Sequence, residues 1–254
     1  MWHRLSVLAL CGMSALLADV CGSLPTGSPT DYNIWNRPPQ NKPPLSYRLS
    51  VKDGGPEFRI TVSVLPFPSE VHDVVHAGDI EVARCRDGKR QQSLSFMAWQ
   101  TLNFRDTFQA VDINFDGYLD FSIVTDVAAG FQSRSYWVYD PGSGLFVQNE
   151  LTRGLRELEV SNIDFDSKKH EVSTRGGVCA ACGCPGMTPD QGGNVDRYRV
   201  ENNRLILIHK QKGAQIASQE GVFQFCTVTV SDLVGGTMRV TSVRRFDING
   251  QPLK

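Results

Sequence analysis

The chain has almost no excess of either charge. Lys and Arg number 26 against 27 Asp and Glu, for a formal net charge of −1 with the signs interspersed. Electrostatics therefore gives no ground for binding nucleic acid or an anionic membrane. Long apolar runs are lacking as well. The longest, Leu5–Leu17, falls short of the roughly 20 residues that a spanning helix needs. Histidines are few and scattered: His72, His76, His170 and His209 have no Ser or Cys nearby in a recognisable nucleophile motif. His72 and His76 share an i, i+4 spacing, but Asp73 stands where H-E-x-x-H requires Glu. Helical periodicity is nearly absent too. Its best stretch, Leu151–Leu158, is short and interrupted by Gly154. With none of these patterns present, the chain does not read as an enzyme.

What is present begins with a targeting pattern. His3 and Arg4 precede the Leu5–Leu17 run, and small residues close it. This is a secretory signal over residues 1–18, cleaved after Ala18. The alternative is lipidation at Cys21, although Ala18 and Val20 occupy the positions where a lipobox wants Leu and a small residue. Cleavage leaves Cys21, Cys85, Cys179, Cys182, Cys184 and Cys226, and an even count in an oxidising compartment favours disulfides. The Cys179-Ala-Ala-Cys182-Gly-Cys184 cluster could hold half a zinc site, but a four-thiolate site needs a second pair and only the isolated Cys85 and Cys226 remain. The pairing is left open. Residues 19–45, broken by Pro25, Pro29, Pro38, Pro39, Pro43 and Pro44, read as a linker, and 46–254 as the folded domain.

From Ser46 onward the pattern is β. Arg59–Leu65 alternates, Asp87-Gly88 is a hairpin turn signal, and Ser135–Tyr139 ends at the turn Asp140-Pro-Gly-Ser-Gly144. About ten to twelve short strands follow at turn-punctuated spacing, which predicts an all-β sandwich, barrel or propeller-like array.

One motif carries chemistry. Asp112-Ile-Asn114-Phe-Asp116-Gly117-Tyr118-Leu-Asp120 reads D-x-N-x-D-G-x-x-D. Oxygen side chains at alternating positions, a Gly where the backbone must bend and the Tyr118 carbonyl give about five of the six to eight oxygens that calcium takes. Ile123 stands where an EF-hand has its bidentate Glu, and strand-like runs flank the loop. It therefore reads as a strand–loop–strand calcium clip closed by Asp120. A plain Asx-rich turn is the alternative. The loop does not repeat: Asp164-Phe-Asp166-Ser-Lys lacks the Gly and the later carboxylate and reads as a turn. A full propeller is thereby disfavoured.

The runs VDINFDGYLDFSIV, SYWVYDPGSGLF and EVSTRGG resemble secreted bacterial proteins with a half-propeller fold and a single FG-GAP-like calcium loop. These are the periplasmic inhibitors of i-type lysozymes and a related Xanthomonas periplasmic protein linked to type IV secretion. The resemblance spans residues 100–210 and is broken by the Cys179–Cys184 insert. It implies a periplasmic, calcium-binding protein that inhibits a lysozyme-like peptidoglycan hydrolase, or else a non-inhibitory envelope binding module with a structural calcium. The inhibitors use a protruding S-G-x-x-Y loop. The nearest equivalent here is Gly130, Ser133, Arg134, Ser135 and Tyr136, which would offer hydroxyls and a guanidinium to the hydrolase's catalytic carboxyls.

Overall fold

The computed structural model describes residues 21–26, 44–64, 75–99, 108–128, 131–158, 162–175, 193–218, 221 and 223–253. The segment 1–18 read as a secretory signal, Gly130, His72 and the Cys179–Cys184 cluster lie outside these residues.

Three antiparallel meanders follow one another along the chain, and none closes on itself. The first is β1 (Leu45–Ser50), β2 (Glu57–Val64), β3 (Val75–Arg84) and β4 (Arg90–Trp99). The second is β5 (Phe108–Val111), β6 (Asp120–Ala128), β7 (Phe131–Asp140) and β8 (Leu145–Val147). Helix α1 (Glu150–Arg156) leads to the third. That sheet has six strands: β9 (Asn162–Asp166), β10 (Glu171–Arg175), β11 (Val195–Glu201), β12 (Arg204–Ala217), β13 (Phe223–Val234) and β14 (Thr237–Phe246). The all-β expectation holds. Asp164 differs from its reading as a turn residue. It lies in β9, paired with Ser173, and only Asp166 serves the turn, accepting the N–H groups of Lys168 and Lys169.

Two cores hold the sheets face to face. The first joins sheets one and two through Tyr47, Phe58, Ile60, Ile80, Phe121, Trp137, Tyr139 and Phe146, among others. The second lies on the other side of sheet two, where Ile113, Tyr136 and Val138 meet Leu151 and Leu155 of α1 and Val172 of β10. Side chains alternate across a strand, so β7 sends Trp137 and Tyr139 into the first core and Tyr136 and Val138 into the second. Each such large buried side chain contributes about 2 kcal/mol or more.

Polar groups complete the joints. The Gln92 side-chain amide of β4 behaves like a peptide group toward β8: its Nε2 donates to the Phe146 carbonyl at 2.7 Å, and its Oε1 accepts the Phe146 N–H at 3.0 Å. Helix α1 has only seven residues, too few to be stable by propensity. A reciprocal cap between Asn149 and Thr152 and the burial of Leu151 and Leu155 hold it.

Cysteine chemistry shapes the N-terminal side. Cys21 is bonded to Cys85, and the Arg48 N–H donates to the Pro25 carbonyl at 2.8 Å. The start of the stretch read as linker is therefore fastened to sheet one, and a sulfur in a disulfide cannot carry a thioether lipid. The predicted hairpin turn follows Cys85. Asp87 and Gly88 do turn the chain, with Gly88 at φ 65°, but in a longer loop where the Cys85 N–H is drawn to the Glu57 carbonyl at 2.9 Å. Cys226, fully buried, is also disulfide-bonded. Replacing Cys21 and Cys85 together by Ser is expected to lower stability by about 3 kcal/mol, read from the urea midpoint of the protein expressed from residue 19. An unchanged midpoint would show that the staple does no stabilising.

Candidate functional site

The chain between β5 and β6 is the candidate metal loop, and its backbone is wound by its own side chains. The Asp112 carboxylate accepts the N–H groups of Asp116 (3.1 Å) and Gly117 (2.9 Å). Asp116 accepts the Tyr118 N–H at 3.0 Å and the Asn114 side-chain amide at 2.9 Å. Gly117 has φ 84° and Phe115 has φ 60°. A left-handed conformation is ordinary for Gly and strained for Phe. The Phe115 ring stacks on His170 with centroids 5.3 Å apart and planes 8° apart, and His170 itself has φ 54°. Two unusual backbone positions thus support each other across the interface between the loop and sheet three.

Asp120 plays a part that its sequence position did not reveal. It is completely buried. Its Oδ2 accepts the Ile113 N–H at 2.8 Å and its Oδ1 the Tyr139 N–H at 2.7 Å. The expected ligand that closes the site is thus turned toward the backbone, where it closes the loop and ties it to β7. Each carboxylate oxygen keeps a second lone pair. Burial pushes the Asp120 carboxyl up to about 7; the two N–H bonds pull it down, and the Asp116 and Asp112 carboxylates push it up further.

The turn thus sets two further carboxylates, Asp112 and Asp116, within electrostatic reach of Asp120. Among the described residues none of them makes an ion pair with a basic side chain. The nearby Lys52 ammonium instead lies over the Tyr118 ring, 4.9 Å from its centroid. The donors that Asp112, Asn114, Asp116 and the Tyr118 carbonyl offer are all oxygen, a set suited to a hard cation such as calcium. Among the described residues no three His, Cys, Asp or Glu side chains are already drawn together as ligands. Two of the five expected donors are an Asn and a carbonyl, and Asp120 faces the backbone.

The segment read as an inhibitory loop requires a correction. Gly130 lies outside the described residues, but Ser133, Arg134, Ser135 and Tyr136 are all residues of β7. Ser135 is 5% exposed and Tyr136 2%. Tyr136 packs in the second core, and burial pushes its phenol up to about 12. The Arg134 Nε donates to Ser122 Oγ at 2.9 Å. Only Ser133 and Arg134 keep partial exposure. Ser135 and Tyr136 are interior groups because β7 is covered on both faces.

No family model matches the chain, and no curated protein matches it. The resemblance to lysozyme inhibitors thus has no family match behind it. A solved structure of a Xanthomonas type IV secretion system related protein is similar to this chain, with 13% identity and a TM-score of 0.49 over 79% of this chain and 100% of that one. A likeness this distant says nothing of activity or partner.

The role of Asp120 can be measured. In Asp120→Asn the amide offers one acceptor where two N–H groups need one each. Leaving a buried N–H unsatisfied costs about 1–3 kcal/mol, and calcium-free protein is expected to lose that much in urea denaturation. A loss below about 0.5 kcal/mol, the scale of ordinary surface substitutions, would show that Asp120 does not hold the loop.

Proposed function

We propose that this protein is an extracytoplasmic binding module in which one calcium ion, held by the 112–120 loop, fixes the meeting point of the three sheets. The observation that carries this reading is the left-handed turn that holds Asp112 and Asp116 beside the buried Asp120, with no basic side chain among the described residues paired to these carboxylates. Asp112, Asn114, Asp116 and the Tyr118 carbonyl would hold the ion, with Asp120 behind them. A bound cation supplies the positive charge that the cluster lacks. The role is structural: the loop hydrogen-bonds sheet one through the Leu119 N–H to the Val51 carbonyl at 2.7 Å, reaches β7 through Asp120 and stacks on sheet three through Phe115. An extracytoplasmic location is supported by the Cys21–Cys85 disulfide. Among the described residues no helix is long and apolar enough to cross a membrane.

A ligand bound only by the folded state stabilises it by mass action, by about 2.7 kcal/mol at a hundred times its dissociation constant. Calcium is expected to raise the melting temperature of the mature protein by several degrees, and chelation to reverse the rise. Asp112→Ala combined with Asp116→Ala should abolish the response. If the double variant still responds like the parent, the loop is an Asx turn and nothing more.

Inhibition of a lysozyme-like peptidoglycan hydrolase rests on the sequence resemblance alone, since Ser135 and Tyr136 are buried. The binding-module reading expects wall lysis by a panel of lysozyme classes to proceed undiminished in the presence of the purified protein. Slowed lysis that Ser133→Ala relieves would reinstate the inhibitor.

A further inference from the structure

Strand β14 leaves one edge of sheet three open. It stands last in the strand order, next to β13 alone. At its C-terminal end the chain's own tail already uses that edge. The Leu253 N–H donates to the Arg245 carbonyl and the Asp247 N–H to the Gln251 carbonyl, both at 2.9 Å, and Phe246 bridges to Pro252. Successive residues of an antiparallel strand aim their backbone groups at opposite edges. The Arg245 carbonyl points outward, so the N–H and carbonyl of Val243 do as well. Among the described residues no strand pairs with the outer edge of Thr237–Arg244.

The two faces of this edge differ in chemistry. Register sets Val243 opposite Thr229, Val240 opposite Ser231 and Met238 opposite Leu233, and residues directly opposite share a face. That face is apolar and wet at its rim, with Val240 62% and Val243 59% exposed. On the other face Arg244 stands opposite Val228, and Arg239 opposite Asp232. The Asp232 carboxylate is engaged by His209 and by the Thr241 hydroxyl. The Arg244 guanidinium lies over the Phe246 ring, 5.8 Å from its centroid, which aligns the charge without neutralising it. β14 contains three arginines and no Asp or Glu. Among the described residues those arginines make no ion pair.

We propose that the open edge of β14 docks an extended segment of a partner protein, alternating apolar and acidic residues, which adds to sheet three as a further strand. Main-chain hydrogen bonds supply affinity in strand addition, and alternate side chains supply specificity. The apolar residues of the segment cover Val240 and Val243, and its carboxylates meet Arg239 and Arg244 on the other face. Charge at a sheet edge commonly guards it against copies of itself. Here it does so selectively: two β14 strands side by side would set three arginines against three, whereas an acidic strand is drawn in. The proposal deepens the binding-module reading, on which it rests, without drawing on the calcium loop.

The test is a titration of the ¹⁵N-labelled protein, expressed from residue 19, with a synthetic peptide of about ten residues, an ordinary strand length, in which Val and Glu alternate. The control peptide has Lys in place of Glu. Calcium is present throughout, and its own effect is read on the 112–120 amides before peptide is added, so the two readings fail separately. Amide shifts on β13 and β14 are expected to saturate with the Glu peptide and not with the Lys peptide, and hydrogen exchange at the Val243 amide should slow at least tenfold. Val243→Pro removes an outward N–H and should raise the half-saturating concentration tenfold or more. Arg239→Gln combined with Arg244→Gln should do the same. Lys89→Gln, on sheet one, should change it less than twofold. Amide spectra without peptide check that each variant is folded; if Val243→Pro fails that check, the arginine variant decides. Equal binding of both peptides, shifts that never saturate, or undiminished binding in the arginine variant would overturn the proposal. So would a dimer of the protein alone, seen by sedimentation, that the arginine variant strengthens, since the edge would then belong to a second copy.

Discussion

The carboxylate of Asp120 accepts N–H groups from Ile113 and Tyr139, and the three sheets meet around it. Ile113 belongs to the second core and Tyr139 to the first. A single side chain thus ties together segments that feed both cores. Burying a charged group is costly unless it is hydrogen-bonded on every side. Here the surrounding loop carries two further carboxylates that raise the cost, and the fold keeps all three. That is hard to account for by turn formation alone, which Asp112 and Asn114 achieve with exposed groups. The proposed cation would convert that mutual repulsion into a shared attraction.

The loop also distributes its apolar residues between the two cores. Tyr118 packs on the first, while Ile113 and Phe115 belong to the second. The strained backbone at Phe115 is the local consequence: reaching His170 requires a left-handed turn at a bulky residue. Order in this loop is therefore coupled to the packing of sheet two on sheet three. Any ligand that orders the loop acts on the whole assembly rather than on a surface turn.

Much of this was legible in the sequence. Alternation in Arg59–Val64 and the Asp140–Gly144 turn are local signals, and each maps onto the expected structure. The misreading of Tyr136 has a physical origin. Ser135–Tyr139 is a nearly continuous apolar run, the pattern of a strand covered on both faces, whereas exposure of Tyr136 would require one wet face. The turn of Asp120 toward β7 depends on a partner 19 residues away, and no local pattern announces it.

The two-sided burial of β7 bears on how the chain finds its pairing. In a strand with one wet face, a slip by one residue puts polar groups inside, so hydrophobicity itself corrects the error. In β7 a slip would exchange Trp137 and Tyr139 for Tyr136 and Val138, apolar for apolar. Hydrophobicity is nearly blind to that mistake, and directional bonds must carry the information. The Tyr139 N–H to Asp120 and the Arg134 side chain to Ser122 mark the strand at two points. They act as an address label on a segment whose composition fits more than one place.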